Sequence, residues 1–207
     1  DLSGDFFDGF FIEEDVYQVV LCDVSGHGIA SSFVGNQIRT LFREKSVSGK
    51  KPSEIAAEVN NAIYSELSEY RYYCTAQIIQ IYLDSGQIIF LSAAHPEAIL
   101  YNSKSSKIEI LKNNNPAIGL FHGEIYKEEI IKLNEGDFIF LYTDGLAEEH
   151  SSDEKEMFGI ERVVESIKTS KNYGANEILH HCLGDFYEFN GYRPQHDDIT
   201  LLCIKKI

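Results

Sequence analysis

The spacing of hydrophobic residues changes several times along this chain. Residues 6–12 and 16–22 read as two strands joined by the acidic turn Glu13-Glu14-Asp15, the second apolar on both faces. Ala30, Phe33, Val34, Ile38, Leu41 and Phe42 then recur at helical spacing, as do Ile55, Val59, Ile63 and Leu67 behind the start signal Pro52-Ser53-Glu54. Two amphipathic helices are therefore predicted, over residues 30–45 and 53–68. Strand patterns follow over 74–83 and 87–93, joined across Asp84-Ser85-Gly86, and then over 98–101, 107–111, a weaker 125–133, and 138–143. Two further helices are marked by Ile160, Val163, Val164, Ile167 and by Ile178, Leu179, Cys182, Leu183, Phe186. A last strand spans 199–204.

The order ββ-αα-(many β)-αα-β lacks the alternation that a parallel doubly wound sheet requires, so helix pairs should cover mostly antiparallel sheets in one α+β domain over residues 1–207. No internal repeat, low-complexity tract or linker divides it, and Ser103–Ser106 and Asn113–Asn115 read as loop tips. Composition narrows the function. The formal net charge is −15, so the field that would attract a phosphate backbone or an anionic bilayer is missing, which disfavours nucleic acid and direct membrane contact. Cys22, Cys74, Cys182 and Cys203 each sit in an apolar run without CxxC spacing, as buried free thiols of a reducing, cytoplasmic compartment would. No apolar run is long enough to span a membrane. Without an initiator Met, the chain is expected to be a fragment of a longer protein.

The aspartates carry the chemical signal. Asp5 and Asp8 flank the start of the first strand, Asp23 ends the second, Asp144 ends the strand over 138–143, and Asp197-Asp198 open the last one. Carboxylates at the ends of apolar strands are costly to bury unpaired, and no Arg or Lys adjoins them in sequence. A divalent cation such as Mg²⁺ or Mn²⁺ would explain the cluster, because hard cations take oxygen ligands and keep several waters. The bland alternative is that each caps a turn. In Asp23-Val24-Ser25-Gly26-His27-Gly28 a buried strand stops at a carboxylate, turns on two glycines and enters a helix, letting backbone approach an ion. It lacks the third glycine of a dinucleotide fingerprint and the Gly-Lys-Ser/Thr of a P-loop. Asp1 to Asp5 fails as a calcium loop, since Phe6 replaces the required glycine and Ile12 the terminal acid. His27 could act as general acid or simply pack in the turn. His180, His181 and His196 show no partner spacing, no Gly-x-Ser-x-Gly occurs, and Glu128-Glu129 and Glu148-Glu149 read as solvated loops.

Gly4-Asp5-Phe6-Phe7-Asp8, Asp23-Val24-Ser25-Gly26-His27-Gly28, Ser92-Ala93-Ala94-His95-Pro96, Pro116-Ala117-Ile118-Gly119-Leu120, Tyr142-Thr143-Asp144-Gly145-Leu146-Ala147-Glu148, Phe158-Gly159 and Asp197-Asp198-Ile199-Thr200-Leu201-Leu202 occur in this order. Together they resemble the stage II sporulation protein E branch of the metal-dependent (type 2C) protein phosphatases over nearly the whole chain. The resemblance implies an αββα four-layer sandwich, with two mostly antiparallel sheets flanked by helix pairs and a centre for two Mn²⁺ or Mg²⁺ ions. It makes Asp23 the bridging carboxylate, adds the Val24 carbonyl, and completes the other site with Asp144 and Asp197. Asp5 and Asp8 match the acidic motif near the first strand as further ligands. Asp23 and Asp144 would thus be central to catalysis, which proceeds by attack of a metal-bound hydroxide on phosphorus without a phosphoenzyme.

The chain departs from the family pattern at Ala94, where Gly is usual, at Glu97, where Pro is common, and in starting without the family's first strand. The implied substrate is a phosphoserine or phosphothreonine on an anti-sigma-factor antagonist within a partner-switching circuit. Implied too are an upstream sensor domain in cis, able to tether the protein to a membrane, and a first helix pair that switches activity; a homodimer is left open. Two rivals remain: a silent pseudophosphatase that binds the same partner, and a calcium-dependent interaction domain.

Overall fold

A computed structural model of the chain describes residues 3–26, 28–112 and 114–207. In chain order the elements are β1 (Phe6–Phe11), β2 (Val16–Val24), α1 (Ile29–Lys45), α2 (Pro52–Tyr70), β3 (Cys74–Tyr82), β4 (Gln87–Ala93) and β5 (Ala98–Asn102). There follow β6 (Lys107–Leu111), β7 (Glu129–Lys132), β8 (Phe138–Tyr142), α3 (Asp144–Ala147), α4 (Gly159–Ser170), α5 (Ala175–Asn190) and β9 (Leu201–Lys205). The class is α+β, with two antiparallel sheets, as the hydrophobic pattern requires. The chain divides into two compact units, Asp1–His95 with Lys112–Leu133 and Pro96–Leu111 with Asn134–Ile207.

The first unit holds a sheet of order β1-β2-β3-β4-β7. In β2 and β3 the alternate residues Val20, Cys22, Val24, Cys74, Ala76 and Ile78 form one face. Ile38 and Phe42 of α1, with Ile55, Val59, Ile63 and Leu67 of α2, close over it. Each such aliphatic side chain withdrawn from water contributes about 1.5–3 kcal/mol. Truncating Ile63 to Ala would cost about 2–5 kcal/mol by opening a cavity. Pro52 sits at the start of α2, and the Glu54 carboxylate accepts the Lys51 peptide N–H at 3.0 Å, so the sequence's start signal works as a cap.

The second unit holds a sheet of order β6-β5-β8-β9. All five residues of β8 are buried, and Phe138, Phe140 and Tyr142 meet Val163 and Ile167 of α4 and Ile178, Cys182 and Phe186 of α5. That continuous burial is why β8 reads as an unbroken apolar run.

Two elements differ from their expected extent. β2 continues through Asp23 to Val24, because Asp23 pairs with Thr75 and Val24 with Cys74. The weak strand expected over 125–133 shrinks to Glu129–Lys132. Asn115 is the reason: its side-chain oxygen accepts the Lys127 peptide N–H at 2.6 Å and its amide donates to the Lys127 carbonyl at 2.9 Å. A side chain has taken the groups a ladder would have used.

Candidate metal centre

In the first unit the candidate ligands gather where β1 and β2 meet the start of α1. Phe6 pairs with Cys22, and one step further along this antiparallel register Asp5 stands across from Asp23. Like charges in such opposition repel unless something positive lies between them. Burial pushes the Cys22 thiol well up; the neighbouring Cys74 adds to this, followed by the charges of Asp23 and Asp5, so both carboxylates lie close to it. Gly4 rests on the Val24 carbonyl, where an added Cβ would come within 2.9 Å of that oxygen. The turn after Val24 is pinned by Ser25, whose N–H donates to the Tyr73 carbonyl at 2.9 Å and whose hydroxyl accepts the Tyr73 N–H at 3.0 Å. Gly26 and Gly28 both have positive φ, at 87° and 85°, which is why glycine is needed there. Ser32 of α1 donates its hydroxyl to the Ser3 carbonyl at 2.8 Å, tying the helix start to the segment that carries Asp5. The role expected of His27 lies outside the described residues.

Asp8 faces elsewhere. It is buried on the α1 side of β1, where Arg43 binds it through Nε and Nη2 at 2.5 and 2.6 Å and Arg39 through Nε at 3.1 Å. Burial alone would raise its pKa, but the hydrogen bonds and charges of Arg43 and Arg39 outweigh that and hold it below the usual carboxylate range. The carboxylate expected as a metal ligand is one member of an ion cluster with Arg39 and Arg43. The arginines were invisible beside it in sequence because α1 supplies them.

In the second unit Asp144 opens the four-residue α3 directly after β8. The Thr143 N–H donates to the Thr200 carbonyl at 3.1 Å, and the Thr200 N–H donates to the Thr143 hydroxyl at 2.9 Å. Gly145 lies so close to the Asp198 carbonyl that any Cβ would overlap it. Burial, then the charge of Asp197, pushes the Asp144 pKa up. Among the described residues no Lys or Arg forms an ion pair with either carboxylate. The Asp197 carboxylate accepts the Asp198 N–H at 2.8 Å.

A half-buried carboxylate with an exposed one beside it, both oxygen donors, suits a hard divalent cation that keeps part of its water. Among the described residues no three His, Cys, Asp or Glu side chains converge as a cage. The ligand candidates come as pairs instead, Asp5 with Asp23 and Asp144 with Asp197.

The model for the stage II sporulation protein E (SpoIIE) family matches residues 13–206. The chain belongs to the SpoIIE family. Curated relatives of this SpoIIE-family chain include the phosphoserine phosphatase RsbP of Bacillus subtilis (strain 168), 30% identical over 155 residues and 73% of this chain. The phosphoserine phosphatase RsbU of the same organism is 21% identical over 206 residues and 99% of this chain. The chain spans 38% of RsbP and 60% of RsbU. Among solved structures, the SiaA-PP2C domain of Pseudomonas aeruginosa superposes with a TM-score of 0.87 at 23% identity, covering 99% of this chain and 81% of that one. The PP2C phosphatase domain of SpoIIE from Bacillus subtilis, with a fragment of its regulatory domain, gives 0.80 at 17% identity, covering 99% of this chain and 58% of that one. These likenesses show the PP2C-type fold, and metal dependence is general for the PP2C family.

Several features of this SpoIIE-family chain were not legible beforehand. Glu149, expected in a solvated loop, is buried and accepts the His196 N–H at 3.0 Å, His196 Nδ1 at 2.6 Å and the His150 N–H at 3.1 Å. Burial raises its pKa, but the His196 peptide N–H foremost, then its imidazole, overcome this and hold it low. Glu128, also read as solvated, takes the Ser53 N–H at 3.0 Å. All four cysteines are free, three of them buried, as their apolar surroundings implied. No helix among the described residues is long and apolar enough to cross a membrane.

Proposed function

We propose that residues 1–207 act as one metal-dependent protein serine/threonine phosphatase domain. Two Mn²⁺ or Mg²⁺ ions would be held by Asp5, Asp23 and the Val24 carbonyl from the first unit and by Asp144 and Asp197 from the second. Asp8 leaves the ligand set because two guanidinium groups already occupy it. Such ions, when bound, activate water and neutralise phosphoryl oxygens. The chain's own part is to hold and orient carboxylates, and no side-chain nucleophile is assigned. The observation that carries this reading is the packing that brings the Asp144 and Asp197 segments together, with Thr143 bonded to Thr200 and Gly145 against the Asp198 carbonyl; the upward pKa of Asp144, from burial first and then Asp197, agrees with it.

The substrate proposed is a phosphoserine or phosphothreonine on a regulatory protein of the anti-sigma-factor antagonist type, with an upstream sensor in cis controlling the domain in a reducing cytoplasm. Membership of the SpoIIE family and the phosphoserine phosphatases among its relatives support this. The test is hydrolysis of a phosphoserine peptide and an aryl phosphate with Mn²⁺, with chelator, and with Asp144→Asn. Metal-dependent turnover that falls at least about a thousandfold in the variant is expected, since such an ion supplies several kcal/mol of transition-state stabilisation. Mn²⁺ binding by a folded protein without any turnover would replace the phosphatase with a partner-binding module.

A further inference from the structure

The ladder between β8 and β9 ends at Tyr142 and Leu201. Beyond it the two segments that carry the candidate ligands stay in contact, without ladder pairing and across the helical turn α3. Thr143 bonds with Thr200, Gly145 lies on the Asp198 carbonyl, and Glu149 meets His196. The last contact closes the far end. The Glu149 side chain is 1% exposed and gathers three donors, two of them from His196. Its own carbonyl accepts the Phe158 N–H at 2.8 Å, which anchors it to the residue before α4. On the other side α3 links it to Asp144, whose carbonyl accepts the Glu148 N–H at 2.8 Å. A buried carboxylate is costly unless fully hydrogen-bonded, and what this one fixes is His196, the residue before Asp197, through its N–H and its imidazole.

Resting on the function proposed above, we propose that Glu149 is a positioning residue for the metal centre: by holding the His196 peptide it sets where Asp197 stands relative to Asp144. The Thr143–Thr200 bonds and the close approach of Gly145 to the Asp198 carbonyl hold the two ligand segments together at one end. Glu149 holds them at the other and so preorganises the pair. It acts through the His196 and His150 peptide N–H groups and the His196 imidazole. Residues in this relation to a metal centre typically change metal affinity 10–100-fold when lost.

The experiment is calorimetric titration of the 207-residue chain with Mn²⁺ alone, with melting temperatures recorded in chelator. Three variants are compared with the parent. Glu149→Ala is expected to weaken Mn²⁺ binding by about 10–100-fold. Glu149→Gln keeps an acceptor for the peptide N–H groups and should stay within about threefold, below the range that loss of the contact spans. Arg193→Ala removes bonds to the Ser151, His150 and Asn190 carbonyls and the ion pair to Glu154, and leaves all three donors on the Glu149 carboxylate in place; it should lower the melting temperature and leave Mn²⁺ affinity in place. The proposal is overturned if Glu149→Ala binds Mn²⁺ as the parent does, if Arg193→Ala weakens binding as much, or if Glu149→Gln is as weak as Ala, which would make charge the cause. A parent chain that takes up no Mn²⁺ overturns the proposed function and this inference with it. A parent that binds Mn²⁺ but hydrolyses no phosphopeptide removes the phosphatase reading and leaves the positioning role intact.

Discussion

Asp8 in the first unit and Asp144 in the second are both aspartates withdrawn from water in segments that carry candidate ligands, and the protein holds them in opposite ways. Asp8 is answered by α1. Gly35, Arg39 and Arg43 follow one another along that helix beside Phe6, Asp8 and Phe10, with Arg43 also stacked 4.7 Å from the Phe10 ring. Four residues of helix rise about 6 Å and two of strand about 6.6 Å, so helix and strand stay in step. Among the described residues no Lys or Arg pairs with Asp144, and the charge that acts on it is that of another carboxylate, Asp197. One acid is spent on holding the fold, while the other is left under a repulsion that a bound cation relieves. The difference teaches that position at a strand end does not make an aspartate a ligand. What the packed element opposite supplies decides it.

The largest effect expected from perturbing this comparison is at the glycines that close each half. In Gly145→Ala the new methyl overlaps the Asp198 carbonyl, whereas in Gly4→Ala it comes to 2.9 Å from the Val24 carbonyl. Overpacking of this kind costs about 1–3 kcal/mol. Mn²⁺ affinity should drop by about a hundredfold for Gly145→Ala and about tenfold for Gly4→Ala, the range seen when the support of a metal ligand is lost. Equal losses in a Mn²⁺ titration would erase the asymmetry between the halves.

Next in size are opposite shifts of metal-free stability. Asp8→Asn removes hydrogen bonds to charged groups, worth about 2 kcal/mol, and should lower the melting temperature by roughly 4–8 °C for a chain of this size. Asp144→Asn relieves burial and repulsion, so in chelator it should melt at the parent temperature or above. Shifts of the same sign by differential scanning calorimetry would break the comparison. The pH dependence has a matching sign. The Asp8 pKa is lowered in the fold, so its contribution is fully present above the unfolded value of about 3.9 and is lost as pH falls through the folded value. Parent and Asp8→Asn should therefore converge in stability below about pH 4.

The smallest expected effect is at Ala94, which holds φ +53° where the family pattern has Gly. Left-handed backbone is strained for any residue with a Cβ, so Ala94→Gly should gain about 1 kcal/mol in chemical unfolding. A loss there would mean that the Ala94 methyl packs better than its backbone suffers.

Most elements were legible from periodicity because they are either amphipathic, as α1 and α2 are, or continuously apolar, as β8 is. The weak strand was overestimated because the amide of Asn115 competes for the Lys127 backbone, and the competition depends on a residue 12 positions away. Asp5, Asp23, Asp144 and Asp197 stood out by their place at the ends of apolar strands. Asp8 stood out equally, yet its partners lie 31 and 35 residues along the chain. Glu149 was read as solvated because it follows another Glu in a polar stretch, and its burial depends on a loop 47 residues further on.

By itself the sequence determined the order of strands and helices, the two glycine-bearing turns, the oxygen-only character of the candidate ligands and the family, since each follows from residue type and local spacing. Only the tertiary structure decided which carboxylates are neutralised by arginine, which repel one another, and which is buried to hold a ligand segment in place. The reason is physical: the charge state and burial of an acid are set by groups within a few ångströms, and for these acids folding brings those groups from far along the chain.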